Sequence, residues 1–265
     1  MRKNLKTMKT ATAIGGAAAA LVLVGSLTSP AEAAGTKWVL GYTDSTPGTP
    51  HYATMGDVIG STNLNLQFTG QYQGSPATID CVNVATTGFS YTVPATPPSG
   101  APNTSITIML NTPTTTLTGC TNSVDNGPVN VSFASGSQWE LEIGLPAAHT
   151  VIGTPHTGTL SGKITVPSGG SGNGTVTAVA TTLPSDVPGQ PCTIQGPAFG
   201  TDMEVPGTYD PTTGIAEDDG SQPVLDINNS TSPANCSDVL DWATLQAASV
   251  ELSGPAGAIP TAVWQ

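Results

Sequence analysis

Basic residues are scarce: the 265 residues include six Lys+Arg against eighteen Asp+Glu, and only 9% of the chain is charged. Four of the six, Arg2, Lys3, Lys6 and Lys9, fall in the first nine residues. Without a leader ending at Ala33, Lys37 and Lys163 face seventeen acids, a net charge of −15. Neutralising a phosphate backbone needs Lys and Arg in numbers, so nucleic acid is not expected as a partner. An acid excess of this kind keeps an exported chain soluble. Histidines number three, His51, His149 and His156. A Ser-His-Asp arrangement must use one of them, because the base takes the hydroxyl proton near neutral pH. His149 and His156 lie in Pro- and Gly-rich sequence and read as exposed loop residues. Gly-x-Ser-x-Gly, His-Glu-x-x-His, Gly-x-x-x-x-Gly-Lys and Gly-x-Gly-x-x-Gly are all absent. No catalytic, cofactor-binding or metal-binding residue is therefore assigned, and no cofactor is expected.

Long apolar runs are missing too, with one exception. "MRKNLKTMK" is followed by "ATAIGGAAAALVLVGSL" and then by "TSPAEAAG", which contains Ala31-Glu32-Ala33. That order is a secretory signal, with cleavage expected before Ala34. An uncleaved anchor is the alternative, but the run is shorter than the ~20 residues a spanning helix requires. No Cys lies near the cleavage site for lipid attachment, and no Leu-Pro-x-Thr-Gly sorting signal is present. The expected destination is extracellular, with no membrane span after cleavage and an extracellular or cell-surface ligand as the unknown partner.

What the chain has in abundance is Gly (31), Pro (23) and Thr, a composition of short strands joined by tight turns. "TNLNLQFTG" places Leu64, Leu66 and Phe68 on one face, and "TSITIML" does the same with Ile106, Ile108 and Leu110. "PVNVSF" aligns Val129, Val131 and Phe133; "SQWELEI" aligns Trp139, Leu141 and Ile143. Side chains two apart share a strand face, so these are half-buried antiparallel strands. "LSGKITV", "GTVTAVATTL", "PVLDI" and "ASVEL" continue the pattern, while "TPPSGAPN", "VPSGGSGNG", "LPSDVPGQP" and "VPGTYDPTTG" read as turns and loops. Only "SDVLDWATLQAA", residues 237–248, suggests a short helix, with Ser237 as N-cap.

The chain also repeats itself. "GSPATIDCVNVATTGFSYTVPAT" (74–96) returns as "GQPCTIQGPAFGTDMEVPGT" (189–208), matching Cys81 with Cys192, Phe89 with Phe199, and Val93-Pro94 with Val205-Pro206. "LNTPTTTLTGCTNSV" and "INNSTSPANCSDV" bring Cys120 into register with Cys236, and "VNVSF" and "ASVEL" follow. Chance convergence of polar loops is the competing explanation. Four cysteines allow three connectivities, and pairing is expected in an exported chain. If each copy is a folding unit, the pairs are Cys81 with Cys120 and Cys192 with Cys236, each contributing about 4 kcal/mol in the chain-entropy model. Zinc ligation is the rival, but no Cys-x-x-Cys pair or Cys-His spacing is present.

Several other groups invite chemistry. Glu140 and Glu142 share a strand face with carboxyls about 6–7 Å apart, within the range used in sugar hydrolysis, yet a wet face opposite Trp139 is the simpler reading. "YDPTTGIAEDDG" offers Asp210, Glu217, Asp218 and Asp219 as calcium ligands without the alternating spacing of a calcium loop, so an acidic turn is expected. "GGSGNG" resembles a phosphate cradle but has no helix after it and reads as a flexible turn. Trp38 and Trp139 are in phase with core residues, while Trp242 stays open as an exposed contact.

The signal peptide, "PTTTLTGC", "SQWELEI", "KITVPSGG" and "YDPTTG" together give a chain that resembles a loose group of secreted, uncharacterised Thr/Gly-rich proteins of high-GC Gram-positive bacteria. The resemblance implies export and a β-sandwich, and brings no site residues with it. The expected organisation is an all-β chain: signal peptide 1–33, then two tandem immunoglobulin-like antiparallel β-sandwiches, 34–150 and 151–265, from an internal duplication. The expected function is a non-enzymatic extracellular binding or structural module. A secreted hydrolase with a cryptic site, or a calcium-dependent carbohydrate-binding module, is the alternative.

Overall fold

The computed structural model describes residues 36–46, 48–85, 88–169, 175–185, 188–197, 201–220, 224–225, 236 and 243–265. Seventeen strands run through them. The first nine are β1 (Trp38–Tyr42), β2 (Val58–Tyr72), β3 (Ser75–Ala85), β4 (Ser90–Thr92), β5 (Ser99–Gly100), β6 (Ser105–Asn111), β7 (Leu117–Asn122), β8 (Pro128–Phe133) and β9 (Gln138–Gly144). The remainder are β10 (Leu160–Val166), β11 (Val176–Pro184), β12 (Pro191–Gly196), β13 (Met203–Asp210), β14 (Ile215–Asp218), β15 (Val224–Leu225), β16 (Ala243–Ser253) and β17 (Pro260–Trp264). The fold is all-β and its pairings are antiparallel, as the alternating windows lead one to expect.

Eight strands close into a ring in the order β2-β4-β6-β9-β10-β13-β14-β16, with β16 returning to β2. Further along the edge of β2 that carries β4, the sheet branches through β3, β7, β8, β11 and β12, and β15 adds to β16. A separate three-stranded sheet, β17-β1-β5, joins the two ends of the described chain. Closure removes the edges that would otherwise invite pairing with other chains. Inside, the alternating residues pack as the pattern requires: Leu64, Ile108, Leu110, Leu141 and Val250 are buried, and Thr107 and Met109 between them are exposed. Each fully buried side chain of this kind contributes about 1.5–3 kcal/mol.

Ala34–Gln265 forms one compact unit. Two tandem sandwiches are not clearly marked off in this sheet: residue 150 falls between β9 and β10, which are paired neighbours in the ring. Four neighbouring strands of the first half, β2, β4, β6 and β9, and four of the second, β10, β13, β14 and β16, enclose one core, and alternation in sequence tells a strand its buried face but not its neighbour.

Two local expectations also change. Residues 243–248, read as the end of a short helix, lie in β16, paired with β2 along this stretch and with β15 at Ala243 and Thr244; residues 237–242, with Trp242, fall outside the described residues. Two flanking strands satisfy the backbone of this segment better than a marginal helix would, a tertiary override of local propensity. "VPGTYD", read as a loop, belongs to β13. Pro206 is tolerated there because β14 pairs with β13 only from Gly207 onward.

Candidate functional site

The bridges come first, since they anchor the walls around the interior. Cys81 of β3 is joined to Cys120 of β7, and Cys192 of β12 to Cys236, with Cα separations of 4.2 and 5.4 Å. All four cysteines are buried. Each bridge stays within its own half of the chain.

The sequence-selected polar groups are dispersed, and each has local work. Glu140 and Glu142 face outward from β9 while Trp139, Leu141 and Ile143 face the core. Lys163 on β10 stands 3.4 Å from Glu142 and 3.2 Å from Glu204. A hydrogen bond from Ser105, then Lys163, holds the Glu142 carboxyl below its ordinary pKa. Asp210 accepts from the amide and hydroxyl of Thr212 at 2.8 and 2.7 Å, which fixes the β13–β14 turn and lowers its pKa. Asp218, at the far end of β14, accepts from the amides of Gly220 and Ala248. The acidic segment is therefore an acidic turn and strand, and among the described residues no group of three His, Cys, Asp or Glu could hold a metal ion. Residues 170–174 of the Gly-rich turn fall outside the described residues.

His149 and His156 meet at the ring contacts of Trp38, with centroids 6.5 and 6.0 Å away. The connection carrying them is fastened to the last strand: the Gly153 amide donates to Trp264 O, and the His156 amide to Ala262 O, both at 2.8 Å. Burial, with His149 beside it, pushes His156 below its ordinary pKa. Trp38 itself is buried, packed on Trp264 at 5.1 Å, and its indole donates to Pro146 O.

His51, never singled out from the other two histidines, has the more suggestive partners. Its Nδ1 lies 2.8 and 2.9 Å from the two Asp44 carboxylate oxygens, and its ring packs against Tyr42 with centroids 4.7 Å apart and planes tilted by 53°. Tyr42 donates to Asp57 at 2.9 Å, and burial together with that carboxylate raises the phenol strongly. An oriented His-Asp pair is half of a nucleophile-activating arrangement. The neighbouring hydroxyl is committed elsewhere: Ser45 Oγ donates to His51 O and accepts from the His51 amide, closing the loop. The pair works as a loop staple around residues 44–51, and its sequence signal was an Asp and a His spaced seven apart across a Pro/Gly turn.

The remaining feature is apolar. A cavity of about 20 Å³ lies between β2–β3 and β11–β12, walled by Phe68, Ile79, Ala178, Ala180, Leu183 and Ile194. Asn122 borders it with its amide already used, donating to Gly127 O and accepting from the Val124 and Asp125 amides. A second apolar cavity of about 20 Å³ lies inside the ring, lined by Leu64, Trp139, Ile164 and Val205, and Phe68 forms part of its wall as well. The half-buried Phe68 thus lines two apolar chambers, and both halves of the chain supply the walls. Sequence patterning marked Phe68 as inward-facing but could not show that the opposite wall comes from a strand more than a hundred residues away.

No helix among the described residues is long and apolar enough to cross a membrane. No family model, curated protein or solved structure matches the chain.

Proposed function

We propose that the protein is an exported, non-enzymatic β-scaffold that acts by binding, with the apolar chamber beside Phe68 as its ligand site. The observation that carries this reading is the pair of apolar cavities meeting at one half-buried aromatic side chain. Concave, mostly apolar space is where proteins take up small ligands. Export is supported by the leader-like first 33 residues and by two bridges of the kind that persist in oxidising surroundings. The scaffold derives from an internal duplication, supported by the ordered recurrence of Cys, Val-Pro and Cys.

The ligand is a small apolar molecule, since each chamber admits little without movement of Phe68. Thermal shift with a series of small apolar probes, from benzene to medium-chain alcohols, tests this. A ligand held at 100 times its Kd stabilises by about 2.7 kcal/mol, a readily measured rise in Tm. Ala180→Leu fills the first chamber, so the probe-induced rise is expected to vanish in that variant. If no probe shifts the unmodified protein, or the variant responds equally, the cavities are packing voids and the reading fails.

A further inference from the structure

Each half of the chain leaves strand edges that it cannot pair by itself, and the other half fills them in reverse order. The first two strands of the first half pair with the last two of the second: β1 with β17 over five residue pairs, and β2 with β16 over ten. The last two strands of the first half pair with the first two of the second: β8 with β11 over five, and β9 with β10 over four. This is the reciprocal pattern of a two-fold dimer, in which element i meets j and j meets i.

The register makes the correspondence specific. The repeat aligns Cys81 with Cys192 and Val129 of "VNVSF" with Ala248 of "ASVEL". In the sheet, Cys81 pairs with Leu66, whose other partner is Ala248. Likewise Cys192 pairs with Ala180, whose other partner is Val129. Both rows run from the first cysteine of one half, through the preceding strand, across the junction to the aligned residue of the other half. Chance similarity between Thr-rich loops gives no reason for aligned residues to occupy equivalent rows.

We infer that the two halves are copies of one unit that bind each other by reciprocal strand exchange, so that the partner each half's edges fit is the other half. The contacts across the four junctions are those of a specific interface. Asn63 donates to Glu251 at 2.7 Å and Asn65 to Ser249 at 2.9 Å across β2–β16. Thr181 donates to Pro128 O at 3.2 Å across β8–β11, and Lys163 meets Glu142 across β9–β10. Trp38 packs on Trp264 across β1–β17. Because neither bridge crosses between halves, the only covalent tie is the connection from Leu145 to Thr159. The inference rests on the duplication proposed above and is independent of the apolar chamber.

The test is to cut that tie in the folded, full-length protein. A protease recognition sequence is inserted at the exposed tip, between Ala148 and His149, or between Thr157 and Gly158 should the first insertion prevent folding. After cleavage, the two fragments are expected to co-elute at the size of the uncut protein in native buffer. In concentrated guanidinium without reductant they are expected to separate. Fragments that part in native buffer, each retaining its bridge and its strand signal, overturn the exchange while leaving the duplication standing. A co-eluting pair in which the amides of β2 and β16 exchange freely also overturns it, since the halves then adhere without pairing. The same amides measured in the uncut chain, with no insertion, give the answer independently: protection supports the inference and free exchange contradicts it.

Discussion

Gly41 sits where β1 meets β17, and a side chain there forces its neighbours to shift. A Cβ there would stand 2.6 Å from Val263 Cγ2 and 2.7 Å from the His51 carbonyl. Gly41→Ala is expected to destabilise by about 1–3 kcal/mol, the range for overpacking a closed site, read as a lower Tm with the fold retained. His156 carries the pH dependence. Its folded pKa lies below the ordinary 6.5, so as pH falls through that value the unfolded chain takes up the proton first. Stability is therefore lost from about pH 6.5 downward until the folded pKa is reached. The carboxylates Asp57, Asp210 and Glu142 are held low by hydrogen bonds and keep their contribution above the ordinary carboxylate range, losing it only at lower pH. His156→Gln is expected to flatten Tm between pH 7 and 5 while leaving the steeper acid decline in place; an unchanged slope in that window contradicts the assignment. Trp38 and Trp139 could be placed in the core from their phase with Leu40 and Leu141. Tyr209, fully buried and donating to Pro260 O at 2.6 Å, could not, because "VPGTYD" carries the composition of a turn.

Strands β2, β6, β8 and β9 were legible because one face of each meets the core and the other meets water, which writes a period of two into the residues. β17 was harder: every one of its residues is buried, so the pattern carries no polar phase. β16 was read in part as a helix because Ala, Leu and Gln favour one locally, whereas its strand state depends on β2, nearly two hundred residues away. Between β3 and β7 the ladder contributes only two residue pairs, Ile79 with Asn122 and Asp80 with Thr121. The Cys81–Cys120 bridge fastens this seam together with two hydrogen bonds between Thr78 and Ser123. Replacing both cysteines by Ala is expected to cost about 2–5 kcal/mol and to lower Tm accordingly. A loss well under 1 kcal/mol would mean that the neighbouring strands hold the seam without it.

At the scale of the whole molecule, the chain is one closed β structure whose halves complete each other. The ordered recurrence of Cys, Val-Pro and Cys in the sequence pointed to a bridge pairing, but such a recurrence is equally compatible with two separate sandwiches or with one interleaved body. What distinguishes them is which edges pair, and that information lies in contacts more than a hundred residues apart rather than in any local window. The apolar chambers share this property, since their walls combine β2 and β3 with β11, β12 and β13. An interleaved body cannot lose one half and keep the other, so both should unfold together. Native-state hydrogen exchange of the intact protein, resolved by residue, measures this directly. The most protected amides of β2, β8 and β9 are expected to open with the same free energy as those of β10, β11 and β16, in a single global event. Two plateaus, one for each half, would contradict the account.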